Sequence, residues 1–142
     1  MAKPVAGHRE IDHTADLGFE VWAPDLNTLH AAAVRALAEL CYDRAAVMPR
    51  EERFLSVLGD SHEERLVRWL QEVYLLLESD NWLAEDVATI RCCGDEIRGR
   101  VRGEPYDPER HTLYTEIKAV TYHDMRVECP GGEWRTTVIV DV

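Results

Sequence analysis

Apolar residues alternate along Leu17, Phe19, Val21 and Ala23, and the run stops at Pro24. A period of two predicts a half-buried strand over about Leu17 to Ala23. The period then changes, with Leu26, Leu29, Ala33, Leu37 and Leu40 recurring at helical spacing. Asp25 stands just ahead of them, where a carboxylate can accept from the free N–H groups of a first turn. Met48-Pro49 closes that region, and Glu51 to Leu58, with Phe54, Leu55 and Val57, reads as a second strand. Ser61-His62-Glu63-Glu64 has the form of a capping box. It opens a second helix that carries Leu66, Leu70, Val73, Tyr74 and Leu77 on one face and is expected to end near Asp80-Asn81. Val87 to Cys93, a turn at Gly94-Asp95, and Ile97 to Arg102 predict a hairpin. Pro105 to His111 is a polar, proline-containing loop. The tail predicts a last hairpin: a strand within Ile117 to Cys129, a turn at Pro130-Gly131-Gly132, and a strand from Glu133 to Asp141.

Hairpin connections imply antiparallel pairing, and two amphipathic helices need a sheet face to cover. The expectation is α+β: a single domain over residues 1–142, with about six mostly antiparallel strands and two main helices packed on one face. With 142 residues, such a domain buries roughly 70% of its unfolded surface.

Composition narrows the function. The formal charge is −11, from 27 acidic and 16 basic residues. Phosphate contacts need a basic face, so direct nucleic-acid binding is not expected, and any role in nucleic-acid metabolism should run through a protein partner. Arg98, Arg100 and Arg102 alternate along one strand, with Arg91 across the hairpin, and read as arginines that balance nearby acids. No stretch reaches the ~20 consecutive apolar residues of a membrane span, and the N-terminus does not read as a secretory signal. Cys41, Cys92, Cys93 and Cys129 lack C-x-x-C spacing, and Cys92 and Cys93 should point to opposite faces of a strand. Reduced, structural cysteines in a cytoplasmic protein are expected.

Candidate chemistry lies near the two ends of the chain. His13-Thr14-Ala15-Asp16-Leu17-Gly18 opens the first strand, and the last one ends at Asp141-Val142. Side by side, those strands would gather the carboxylates of Asp16 and Asp141 and the terminal carboxylate of Val142. Like charges a few ångströms apart repel strongly, and a hard cation held by oxygen ligands, calcium or magnesium, relieves them. The alternatives are that Asp16 and Thr14 only organise a turn, and that Asp141 is simply solvated. Lys118, Thr121 and His123 form a second polar segment, in which Lys118 could equally be a solvated lysine. G-x-S-x-G, P-loop and H-E-x-x-H motifs are missing.

Together, His13-Thr14-Ala15-Asp16-Leu17-Gly18, Lys118-Ala119-Val120-Thr121-Tyr122-His123 and the final Asp141-Val142 resemble the archease family, as do the length and the order of elements. That resemblance implies an accessory protein of an RtcB-type RNA ligase in tRNA splicing and RNA repair. Such a protein promotes guanylylation of the ligase, allows repeated turnover and broadens its use of nucleoside triphosphates. It is not an enzyme in its own right. The resemblance also implies a divalent metal, calcium foremost, on Asp16, Asp141 and Val142, with Lys118, Asp16 and Asp141 needed for activation. The rival readings are a stand-alone metal-dependent hydrolase built on Asp16 and His13, and a binding module stapled by a structural ion.

Overall fold

The computed structural model describes residues 5–13 and 16–142, apart from the side chains of Asp12, His13 and Asp16. Its elements run β1 (Gly7–His13), β2 (Asp16–Ala23), α1 (Leu26–Cys41), β3 (Glu51–Leu58), α2 (His62–Asp80), β4 (Trp82–Cys93), β5 (Glu96–Pro105), β6 (Ala119–Thr121) and β7 (Trp134–Asp141). The class is α+β with antiparallel pairing throughout, and the strands divide into two sheets. One has the order β1-β2-β7-β6 and the other β3-β5-β4.

The helices begin and end where local chemistry directs. Asp25 accepts from the Thr28 N–H at 2.7 Å, and the Ser61 hydroxyl accepts from the Glu64 N–H at 3.0 Å. Each bond satisfies one of the amides that a helix N-terminus leaves open. The second helix stops at Asn81, whose φ of 50° places it in the left-handed region that asparagine tolerates. Helix α1 packs on β2 and β4, and α2 on β3, β4 and β6, so both sheets turn a face onto the helices. One core results, with Phe19, Val21, Leu29, Leu37, Leu66, Trp69, Leu70, Val101, Val138 and Val140 all buried. Trp69 Nε1 donates to the His30 carbonyl at 3.3 Å and the Tyr42 hydroxyl to the Ala84 carbonyl at 2.7 Å, whereas His30 Nε2 and Thr136 Oγ1 are buried with no hydrogen-bond partner among the described residues.

Three departures from the sequence reading have physical causes. Among the described residues there are seven strands, because Gly7–His13 also pairs, antiparallel to β2. As an edge strand it exposes Arg9 and Glu10, and charged residues of this kind suit an edge that must not pair further. Strand β4 starts at Trp82, ahead of the expected Val87. Register shifts at Ala84/Asp86 and Val87/Thr89 break the period-two signal there. The strand expected within Ile117 to Cys129 is only three residues long, and the stretch after it turns at Asp124, which has φ 50°.

All four cysteines are free thiols; Cys41 is buried and Cys92 half-buried, whereas Cys93 and Cys129 are exposed. Burial pushes the Cys41 thiol up to about 12 and the Cys92 thiol up to about 11, so neither is a ready thiolate near neutral pH. Among the described residues no helix is long and apolar enough to cross a membrane.

Candidate functional site

Strand β7 is central in its sheet, between β2 and β6. Its Thr136, Val138 and Val140 side chains are buried, which fixes its rotation and leaves Asp141 exposed at its end. In the β2–β7 register Leu17 lies opposite Val140. One further step sets Asp16 opposite Asp141. The fold therefore lays the two expected strands side by side, with their aspartate-bearing ends together. The Asp16 side chain itself lies outside the described residues, as do Thr14 and Ala15.

Gly18 makes this neighbourhood possible. A Cβ there would sit 2.4 Å from the Val138 carbonyl oxygen and 3.0 Å from Ile139 Cδ1. Only glycine lets β2 lie this close to β7 two residues from Asp16. Gly18→Val is expected to cost about 1–3 kcal/mol, the usual penalty of overpacking, measured by urea unfolding. An unchanged midpoint would show that β2 can shift away from β7 without cost.

The third residue arrives from the other side. The Lys118 N–H donates to the Asp141 carbonyl at 2.7 Å, and Ala119 lies opposite Asp141 in the β6–β7 register. That bond is one step off the ladder, whose regular alternation begins only at Ala119, so Lys118 is not held to the alternation of faces. Helix α2 braces the segment: the Tyr74 hydroxyl accepts from the Ile117 N–H at 3.0 Å, and Gln71 donates to the Val120 carbonyl at 3.3 Å. Ile117 and Val120 are buried anchors on either side of an exposed Lys118. Thr121 adds a hydroxyl bond to the Ile139 carbonyl at 3.1 Å, and the same oxygen accepts from the His123 N–H at 3.2 Å.

This end of the sheet is open and polar. Lys118 and Asp141 are exposed, and neither side chain has an ion pair or hydrogen bond among the described residues. Val142 is 41% exposed, so apolar surface adjoins Asp141. The described donors that could take a metal are carboxylate oxygens, which suit a hard cation. Among the described residues no group of three or more His, Cys, Asp or Glu side chains gathers into a metal site. A metal centre here therefore depends on Asp16.

A second polar centre had no counterpart in the sequence reading. Glu104 is 1% exposed at the end of β5, and its carboxylate accepts from the Met48 N–H at 2.6 Å, from His111 Nε2 at 3.0 Å and from Arg110. His111 Nδ1 accepts from the Asp107 N–H at 2.9 Å, so the ring proton of the neutral imidazole lies on Nε2, aimed at Glu104. Burial alone would raise the Glu104 carboxyl; the bonds from Arg110, Met48 and His111 outweigh it and hold the group down at about 2. The loop read as simply polar is thus pinned inward through His111. No local pattern signals this, because Met48 lies in a distant segment and the loop that carries Arg110 and His111 has to fold back onto Glu104.

His30 is the other buried titratable group. Burial pushes it down to about 4, and its Nδ1 bonds the Leu26 carbonyl at 2.8 Å. A neutral, helix-bonded histidine against Cys92 is a core residue.

Set beside known proteins, this architecture matches archease structures. The solution structure of Methanobacterium thermoautotrophicum protein 1598 superposes with a TM-score of 0.77 at 30% identity, covering 96% of this chain and 99% of that one. The Thermotoga maritima crystal structure, described as an archease and possible chaperone, gives a TM-score of 0.65 at 24% identity, a likeness of fold alone. The model of the Archease protein family (MTH1598/TM1083) matches residues 8–142. The archease of Methanopyrus kandleri is 43% identical over 94% of this chain and 97% of its own length. That of Archaeoglobus fulgidus is 32% identical over 95% and 98%. The chain belongs to the archease family.

Proposed function

We propose that this protein is an accessory activator of an RtcB-type RNA ligase, acting in tRNA splicing and RNA repair. It promotes guanylylation of the ligase, supports repeated turnover and widens the choice of nucleoside triphosphate. The observation that carries this reading is the meeting of three chain segments at one sheet end. The β2–β7 register, carried one step past Leu17 and Val140, brings Asp16 to Asp141, Lys118 bonds the Asp141 carbonyl, and the exposed Lys118 and Asp141 side chains have no partner among the described residues. Exposed charges on a braced backbone, with no side-chain partner among the described residues, support a role in contact with another molecule.

The chemistry divides between the residues. Asp16, Asp141 and the Val142 carboxylate would hold a divalent ion, with calcium favoured by an oxygen-only donor set. When bound, such an ion supplies positive charge that can neutralise a triphosphate. Lys118 supplies a mobile point charge suited to a phosphate or a partner carboxylate, whereas an arginine would demand a planar, bidentate fit. Val142 supplies exposed apolar surface next to Asp141 for contact with the ligase. The protein does no chemistry alone on this reading. A hydrolase using Asp16 and His13 would instead turn over RNA or nucleotides with no ligase present.

Lys118 tests the division. Lys118→Ala is expected to lose most of the increase in guanylylated ligase formed in a single turnover, with calcium binding by calorimetry unchanged. Lys118→Arg should restore activity only in part. Joint loss of metal binding and activation would make Lys118 a support of the acidic site, and full activity in Lys118→Ala would leave a solvated lysine.

A further inference from the structure

The outward face of the β3-β5-β4 sheet carries chemistry that the ligase-activating end does not use. Arg91 and Arg98 lie directly opposite each other across β4 and β5, and Arg100 follows two residues along, with Thr89 on one side and Phe54 on the other. Like charges directly opposite in a sheet are destabilising. Further along, Arg102 is balanced, with Glu85 at 2.9 Å and Asp86 at 3.6 Å. Arg98 reaches Glu96 only at 3.7 Å, and Arg91 and Arg100 meet no carboxylate among the described residues. Balance by nearby acids therefore covers Arg102 and, more loosely, Arg98, but not Arg91 or Arg100 among the described residues. Phe54, 54% exposed, lies beside them, its ring centroid 6.0 Å from the Arg98 guanidinium carbon and 5.9 Å from that of Arg100. These side chains, with Thr89 and Ile90, line a shallow depression of about 220 Å³.

We propose that this face binds single-stranded nucleic acid, with Arg91, Arg98 and Arg100 on backbone phosphates and Phe54 stacking against a base. Guanidinium groups interleaved with an exposed aromatic on an open sheet match what a flexible strand offers: spaced negative charges and flat rings. An acidic peptide would use the arginines and leave the ring without a stacking partner. The overall charge of −11 does not forbid it. At physiological ionic strength the screening length is about 8 Å, so acids on other faces contribute little to the field at this one. The inference is separate from the ligase reading, because the binding requires no ligase.

The test is fluorescence anisotropy of a short labelled oligouridylate with the intact protein alone, over a range of salt concentrations. Three phosphate contacts predict a slope of log affinity against log salt of about −2, at roughly −0.7 per contact. Arg91→Ala with Arg100→Ala should bring the slope to about −0.7, whereas Arg91→Lys with Arg100→Lys should keep it near −2. Phe54→Ala should weaken binding about tenfold with the slope unchanged, the signature of lost stacking. Circular dichroism of each variant should match the parent. No binding at low salt, or binding indifferent to these substitutions, overturns the proposal. So does equally effective competition by polyglutamate, which would mark the face as a docking surface for an acidic protein.

Discussion

Asp141→Ala and Asp16→Ala are each expected to abolish activation of an RtcB-type ligase while the domain stays folded. Asp141 is exposed, and its side chain has no ion pair or hydrogen bond among the described residues; only its backbone carbonyl is used, by Lys118. Exposed substitutions of this kind usually change stability by less than about 0.5 kcal/mol. If the Asp16 and Asp141 carboxylates share a site, removing one also relieves like-charge repulsion in the metal-free protein. Function should suffer far more, because a preorganised electrostatic group is worth on the order of 10²-fold in rate. Asp141→Asn sharpens the test by keeping shape and removing charge. The measurements are guanylylated ligase in single turnover, calcium binding by calorimetry, and thermal unfolding. Loss of activation with intact calcium binding would separate the acidic site from any metal. Normal activation by both alanine variants would leave the aspartates without a role.

Glu104→Ala is expected to be the most damaging single change to stability, at about 3–5 kcal/mol, because it leaves Arg110 and His111 facing a site emptied of its carboxylate. The loop after β5 and the backbone before β3 meet on this one side chain, through His111 and Met48. The pH dependence has a definite sign. The folded carboxyl sits at about 2, below its ordinary value of 4.5, so its contribution is complete above about 4.5 and fades as pH falls toward 2. Glu104→Gln should therefore unfold more easily at pH 7 and show a flatter stability profile between those limits. Urea titrations across that range check both points. A variant within 0.5 kcal/mol of the parent at pH 7, with the acid limb intact, would show that the cluster contributes little.

What could be read in advance divides along physical lines. Asp25 and Ser61 are local caps, and both helices start where they stand. Glu51–Leu58 kept its predicted bounds, since one strand with turns on both sides is a local matter. Gly7–His13 escaped notice because an edge strand with charged, half-exposed residues lacks the apolar alternation that marks a buried one. The split into two sheets depends on which hairpin pairs with which, and Phe54 or Val138 carries no mark of its distant neighbour. Asp16 and Asp141 stand out as charges at the ends of apolar runs, and the β2–β7 register puts those strand ends side by side, which no local pattern dictates. Lys118 was singled out by the archease resemblance, since its placement rests on an off-ladder bond that alternation does not anticipate. Glu104 was invisible, since its burial makes sense only once Met48, Arg110 and His111 surround it.

The most direct measurement is steady-state RNA joining by a purified RtcB-type ligase, limiting in enzyme, with and without this protein. The expected result is that the ligase alone stops after about one turnover, whereas addition of the protein gives many turnovers per ligase together with a rise in guanylylated intermediate, and Asp141→Ala gives neither. Equal turnover in both reactions, or RNA or nucleotide cleavage by this protein with no ligase present, would contradict a ligase-activating role.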